Sequence, residues 1–374
     1  MADKPGTGQS RAIKVEQYSG EEREGVRLFL PLVPDTLMAK HPLYFDVYEK
    51  LTTDEIKLLM PNGSEVPLAI RSFIRLRKRE AAKRFYLPAS QKEDLSRYQE
   101  AILPDLLSDP DVPVLAKCNL LQNVTTNLSR EMFDSPTPLN IQRQRRNVEQ
   151  MVDFTLHDPA ALKGLLGLTH HDYFTYTHSV NVGVYALTIA FEHLYNIGAV
   201  SKSTLQRIAA GFFLHDIGKS LVPTEVINKN GPLDEGEWEE MRKHPAHGHT
   251  LLLGEGNLTP EVATVVLQHH EKMIGGGYPE GLKGDAIHLH ARICSVADAF
   301  DALTTRRSYK PAVAPFDALA IMKKDMYAQF DPDVFQTLVL LMRKRTRLDR
   351  QVPWIPVSAS VAAKRIMLAR RRRS

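Results

Sequence analysis

Cysteine is almost missing from this chain. Cys118 and Cys294 are the two it has, too few and too far apart in sequence for a disulfide framework or a thiolate zinc cluster. Any bound metal must therefore be held by nitrogen and oxygen. Long apolar runs are missing too: none approaches the roughly 18–20 residues that a membrane-spanning helix needs. The opening stretch, Met1 to Glu16, is polar and lacks the apolar core of a signal peptide, so a cytoplasmic address is expected. Nor is there a strong excess of one charge. The formal net charge is +4, and part of it lies in the terminal run Arg370 to Arg373. Such runs can touch nucleic acid or anionic lipid but are more often solvated ends, and no DNA partner is expected.

What is present describes a globular protein of more than one domain. The apolar content is 43% and the charged content 25% over 374 residues, a length beyond one usual domain. After a disordered-looking start (1–20), Val26 to Leu30, Leu43 to Tyr48 and Ile56 to Met60 alternate or carry aromatic and β-branched residues as strands do. A helix is expected near Ala69 to Ala82 and a short strand at Arg84 to Leu87. Ser90 and Glu93 have capping-box spacing ahead of a helix over Leu95 to Leu103 that Pro104 should stop. These elements suggest a small α/β domain over 21–125, with no phosphate loop, metal cluster or nucleophile motif. Between Leu107 and Pro138 the Asp-Pro, Ser-Pro and Thr-Pro steps disfavour continuous helix, which places a domain boundary there.

Beyond that boundary the pattern is almost entirely helical, so the expected fold is α+β overall. Arg143 to Leu156 and Tyr176 to Tyr195 keep helical periodicity. Ser203 with Gln206 is expected to cap a helix running to His215, and Thr259-Pro260 marks the start of another ending at His269-His270.

Histidine is the informative residue. Of 14 in the chain, seven (His244, His247, His249, His269, His270, His288 and His290) fall within 244–290. The sharpest motif is Phe213-Leu214-His215-Asp216-Ile217-Gly218-Lys219, an apolar helix ending in a histidine and an aspartate. Neighbouring helical residues project about 100° apart, so both can flank one point past the helix end. An isolated His-Asp pair is usually an ordinary helix terminus. Here His178, His244, His269-His270 and Asp298 also lie on or at the ends of apolar helices, where a buried polar group needs a partner or a task. Histidine with carboxylate and no thiolate suits iron, manganese, zinc, nickel or cobalt. So many ligands exceed the needs of one tetrahedral ion, and two metals are a common device for phosphoester hydrolysis.

The order His178, His215-Asp216, Asp298 resembles the HD phosphohydrolase superfamily. With His244-Pro245, His269-His270-Glu271 and Gly277-Tyr278-Pro279 the resemblance narrows to HD-GYP phosphodiesterases, which degrade the bacterial messenger cyclic di-GMP. It covers about half the chain and implies an HD-type all-helical catalytic domain over 150–345, a linker and connecting helix over 126–149, and a basic tail over 346–374. It further implies one metal held by His178, His215, Asp216 and Asp298. A second would be held by His244, His269 and His270, with Asp216 as the bridge. The two divalent ions are expected to be iron first and manganese second, and a water activated between them would attack phosphorus. Lys219 would stabilise the phosphate charge or protonate the leaving oxygen; otherwise it is a helix-end lysine facing the dipole. Arg307 and Lys310 resemble phosphate contacts, unless Arg306 to Lys310 is simply a basic loop. Tyr278 would pack on the ligand loop or meet a guanine.

Two departures stand out. Ile274 occupies a place usually acidic in the subgroup, so a carboxylate that would orient a histidine ligand is missing. Phe174 stands four positions before His178, where some members carry a third-metal glutamate; phenylalanine cannot ligate, so a binuclear site is expected. The implied reaction is hydrolysis of cyclic di-GMP to the linear dinucleotide or on to GMP. A weakly active cyclic di-GMP sensor and a phosphohydrolase of another nucleotide stay open. The N-terminal domain is expected to be regulatory, meeting a second copy of the chain or a signalling partner.

Overall fold

In the computed structural model the chain divides into two compact units, Met1–Leu120 and Leu121–Ser374. The structure describes residues 29–38, 41–51, 56–77, 81, 84–169, 174–196, 198–229, 231–254, 259–306 and 311–348. The expected disordered start, the tail beyond 348, and Arg307 and Lys310 lie outside them.

The first unit is built on a four-stranded antiparallel sheet in the order β1-β4-β2-β3. Its strands are β1 (Phe29–Pro31), β2 (Val47–Lys50), β3 (Ile56–Met60) and β4 (Phe85–Pro88), with α1 (Leu68–Leu76) between β3 and β4. Leu30 pairs with Leu87 and Glu49 with Phe85. The second strand begins later than the alternation at 43–48 suggests: Leu43 and Phe45 are buried ahead of it as irregular chain. Next comes α2 (Lys92–Ser108), whose Tyr98 and Ile102 are fully buried. The Tyr98 hydroxyl accepts a hydrogen bond from the Met38 amide at 3.1 Å, and burial pushes its pKa up to about 12.

Two expectations fail here. Ser90 does not cap α2: the cap position is Gln91, without a side-chain bond, and Ser90 lies in a 3-10 turn over Ala89–Gln91. Pro104 does not end the helix either. A proline removes one helical hydrogen bond, but Leu103 and Leu106 are buried on either side of it and hold the last turn in place.

The segment expected to be broken is instead α3 (Val114–Asp134), a helix of 21 residues. Its prolines stand outside the ends, at Pro110 and Pro113 before it and Pro136 and Pro138 after it, so they set its limits without interrupting it. Pro138 opens α4 (Pro138–His157), capped by the Thr137 hydroxyl accepting from the Asn140 amide. Buried polar pairs join α3 to α4: Thr125 Oγ1 to Asn147 Oδ1 at 2.6 Å and Gln144 Nε2 to Ser129 Oγ at 2.9 Å.

The next helices are α5 (Pro159–Gly167), α6 (Thr175–Ala190) and α7 (Lys202–Leu214). The cap of α7 is the Ser201 hydroxyl, which accepts from the Thr204 amide, so the expected Ser203 cap is displaced by two residues. The short α8 (Thr224–Ile227) leads to α9 (Glu235–Arg242), opened by an Asp234/Glu237 capping box, and to α10 (His244–Gly254). Thr259 caps α11 (Pro260–Gln268) as its sequence indicates. The chain continues through α12 (Leu289–Thr304), α13 (Pro315–Ile321) and α14 (Pro332–Leu348). In the interior α6 packs against α7 and α12, and α11 packs against α7 and α12. No helix among the described residues is long and apolar enough to cross a membrane.

Candidate metal centre

The last turns of α7 are wholly apolar: Phe212, Phe213 and Leu214 are fully buried. Such a helix end carries the adjoining His215 and Asp216 into the core with it. The chain then tightens into a 3-10 turn over Ile217–Leu221. Gly218 lets this turn press on the start of α10, because a Cβ there would lie 1.9 Å from the His244 carbonyl oxygen. That approach seats Asp216 beside His244. His178 comes from the first turns of α6, His269 and His270 lie just past the end of α11, and Asp298 lies on α12.

All seven side chains converge. The ligand atoms of Asp216, His244, His269 and His270 lie within 4.8 Å of one another, as do those of His178, His215 and Asp216. Asp216 belongs to both sets and divides its oxygens between them. Oδ2 lies 3.6 Å from His178 Nε2 and 3.4 Å from His215 Nε2, whereas Oδ1 lies 3.3 Å from His244 Nε2 and 3.8 Å from His269 Nε2. Asp298 reaches the two sides as well, Oδ1 to His178 Nε2 at 3.1 Å and Oδ2 to His270 Nδ1 at 3.7 Å. Lys219 Nζ donates to Asp216 Oδ2 at 2.6 Å.

The histidines are aimed by their other nitrogen. A backbone carbonyl can only accept, so an imidazole nitrogen bonded to one must carry a proton. His215 Nδ1 donates to the Phe212 carbonyl, His244 Nδ1 to that of Met241, and His269 Nδ1 to those of Val265 and Val266. Each of these rings, when neutral, presents a lone pair on Nε2. The Nε2 atoms of His244 and His269 then face each other at 3.3 Å, an arrangement that asks for a cation or a proton between them. His215 Nε2 and Asp216 Oδ1 are buried with no hydrogen-bond partner. Orphaned acceptors gathered at hard nitrogen and oxygen donors fit divalent metal ions.

His178 is aimed by a carboxylate instead. Its Nδ1 lies 2.7 Å from Asp301 Oδ2, and Asp301 Oδ1 accepts from Asn181 Nδ2 at 2.9 Å and Thr305 Oγ1 at 3.0 Å. Sequence reasoning assigned no role to Asp301. Its spacing from Asp298 was the available signal, since residues three apart on a helix share a face.

The charge state agrees with this geometry. Burial lowers the pKa of His178, but the hydrogen bonds its ring donates to Asp298 and Asp301 outweigh it and set a value of about 10, so a proton on Nε2 stands in for a cation. Burial holds His269 at about 4, and lowers His244 and His270 below the usual histidine value. Asp216 stays well below the ordinary carboxylate range: burial opposes this, and the charge of Lys219 beside it prevails. Burial likewise opposes ionisation of Asp298, and His178 overcomes it.

The loop after His270 folds back on the ligands. The Tyr278 ring stacks on that of His270, with centroids 4.7 Å apart and planes 29° from parallel, and burial raises its hydroxyl pKa. Gly277 passes so near the backbone of His270 and Glu271 that a Cβ would lie 2.6 Å from both. Glu271 Oε1 accepts from the Glu280 and Gly281 amides, closing the loop. Ile274 is 53% exposed, and the anchors of His178, His215, His244 and His269 come from Asp301 or a backbone carbonyl, so the missing acidic residue takes none of these four away. His288, set aside from the ligands, caps α12 by accepting from the His290 amide.

The helical unit thus gathers five histidines and Asp298 around the divided oxygens of Asp216, a set of side chains that could hold metal ions. Residues 170–334 of the chain match the family described as HD domain. The chain is 36% identical over 192 residues to a cyclic di-GMP phosphodiesterase of Pseudomonas aeruginosa, covering 51% of this chain and 45% of that one. It is 44% identical over 138 residues to the cyclic di-GMP phosphodiesterase response regulator RpfG of Xanthomonas campestris, covering 37% and 36%. A 3'3'-cGAMP-specific phosphodiesterase of Vibrio cholerae is 39% identical over 167 residues, covering 44% and 35%. The chain thus spans less than half the length of these relatives. Among solved structures, an HD-GYP-type protein from Bdellovibrio bacteriovorus shares the fold with a TM-score of 0.59 at 18% identity, covering 84% of this chain and 99% of that one.

Proposed function

We propose that this chain is a metal-dependent phosphodiesterase that hydrolyses cyclic di-GMP to the linear dinucleotide or on to GMP. The observation that carries the reading is Asp216, whose two oxygens face separate groups of histidine nitrogens. His178, His215, Asp216 and Asp298 would hold one divalent ion; His244, His269, His270 and Asp216 would hold the other, with iron first and manganese second. When bound, the ions supply positive charge and an acidified water at the scissile phosphate.

The remaining steps fall to the chain's own groups. Lys219, whose Nζ donates to Asp216 Oδ2 at 2.6 Å, stands beside the proposed bridge, where it would stabilise the phosphate charge or protonate the departing ribose oxygen. The stack of Tyr278 on His270 favours packing on the ligand loop over contact with guanine. Arg307 and Lys310 are proposed as phosphate contacts on their sequence positions. The N-terminal unit would regulate, through a second copy of the chain or a signalling partner, in the cytoplasm where a dinucleotide messenger is consumed.

Names of the relatives support the substrate but divide over it: some act on cyclic di-GMP and others on 3'3'-cGAMP. A mixed-purine cyclic dinucleotide is therefore the second reading. Purified protein of measured metal content, incubated with each dinucleotide and assayed by chromatography, decides. No product with both metals bound sinks the enzyme reading and leaves a sensor, and faster turnover of 3'3'-cGAMP moves the substrate.

A further inference from the structure

The helix α9 ends at Arg242, two residues before His244. Two acids of that helix are already taken, Glu237 by Lys229 and Glu240 by Lys243. Arg242 is exposed and pairs with no carboxylate among the described residues; its guanidinium stands over the Trp238 ring one turn earlier, 5.8 Å from the centroid. A ring face holds a guanidinium in place without neutralising it. That charge also reaches the metal centre's loop. Burial is the largest cause that raises the Tyr278 hydroxyl pKa, the carboxylates of Asp298 and Asp216 add to the rise, and Arg242 opposes it. The Tyr278 ring stacks on His270 and meets the His244 ring edge-on, with centroids 6.3 Å apart. Arg242 therefore stands on the Tyr278 side of the centre, an unneutralised cation beside the histidines proposed for the second ion.

We propose that Arg242, held on Trp238, binds the second phosphate of a cyclic dinucleotide while the first lies at the metal centre. Such a ligand carries two phosphodiesters on opposite sides of one ring, and the ions with Lys219 can serve one of them at a time. The other stays charged, and a charge brought against protein without a partner is costly. A planar guanidinium with several donors matches the oxygens of a phosphodiester. Lys219 already donates to Asp216, whereas the Arg242 donors face no carboxylate among the described residues. Contact with a phosphate reads no base. The subsite therefore favours cyclic dinucleotides as a class over diesters with one phosphate, and leaves the choice of base to other groups.

The subsite rests on the cyclic dinucleotide reading, and its test separates the two. Full-length manganese-loaded protein is assayed as wild type, Arg242→Ala, Arg242→Gln and Arg242→Lys, alongside metal content and melting temperature. The substrates are cyclic di-GMP and bis(p-nitrophenyl) phosphate, a diester with one phosphate. For Arg242→Ala and Arg242→Gln, KM for cyclic di-GMP should rise roughly 10-fold or more, the loss of a hydrogen bond to a charged group, with kcat changed far less and two metals retained. Arg242→Lys, which keeps the charge without the fork, should recover part of that loss. On the one-phosphate diester all four proteins should share one KM, which a merely structural role for Arg242 would not give. An unchanged KM for cyclic di-GMP in the neutral variants, an equal rise on both substrates, or a lysine variant no better than glutamine overturns the subsite while the enzyme reading stands. If Arg242→Ala sheds metal, Arg242→Gln decides by the same comparison of substrates. A wild-type protein that neither binds nor cleaves cyclic di-GMP overturns both, whatever it does to the smaller diester.

Discussion

A carboxylate can serve two cations because its oxygens point apart, and at Asp216 one oxygen faces His178, His215 and Lys219 while the other faces His244 and His269. An amide at this position would keep the shape and lose half the acceptors. For Asp216→Asn we expect bound metal, measured by elemental analysis, to fall from two ions per chain to fewer than one, with hydrolysis lost alongside. A variant that keeps two ions contradicts the bridge. Asp301 makes a sharper case because all three of its partners donate: His178 Nδ1, Asn181 Nδ2 and Thr305 Oγ1. In Asp301→Asn the new NH2 must confront one of those donors and the His178 ring loses its anchor. Metal affinity should fall roughly 10- to 100-fold, the usual loss for an outer partner of a ligating histidine, as read by competition with a chromogenic chelator. The seven proposed ligands were legible in the sequence because their chemistry is costly to bury without a purpose. Asp301 was not, because its role comes from helical spacing and from a histidine 123 residues away.

Elements were legible where side chains alone decide them. Thr259-Pro260 opens α11 as its residues indicate, since the cap bond is local. Ser203 lost the α7 cap to Ser201 because both hydroxyls lie within reach of the first turn and only one sits where the backbone is still extended. The helix α3 escapes a sequence reading because its flanking prolines look like breakers although they only bound it, and Pro104 is overruled by burial of its neighbours. The tight seat of the 3-10 turn against α10 was invisible for a similar reason: it depends on two segments 26 residues apart meeting at Gly218 and His244. Gly218→Ala must push the turn away from the His244 carbonyl, and we expect a loss of about 3 kcal/mol or more in a denaturant titration. Tyr278 tests the loop on the other side of the site. Tyr278→Phe keeps the ring over His270 and should keep two metals, whereas Tyr278→Leu should weaken the ion beside His270 at limiting manganese. Equal metal binding by both variants would show that the stack does not position that ligand.

Metal, protons and the stability of the whole helical unit are linked, because the same histidines answer to all three. His269 is held at about 4, below its unfolded value near 6.5. Between those values the unfolded chain binds a proton that the native chain refuses, so metal-free protein loses stability as pH falls from 6.5 toward 4. His244 and His270, lowered by the same burial, push in the same direction. His178 has the opposite sign. Its native pKa of about 10 lies above the unfolded value, so its contribution is complete below about 6.5 and is lost as pH rises through 10. Melting temperatures of metal-free protein should therefore peak near neutrality and decline on both sides. On the proposed ligand set manganese would take the place of the His178 proton, so in its presence the alkaline decline should flatten and the midpoint should rise with metal concentration. His269→Gln, which removes the group that resists protonation, should soften the acid limb alone. A metal-free protein whose melting temperature climbs steadily from pH 6.5 to 10 would contradict the paired charge assigned to His178 and Asp298.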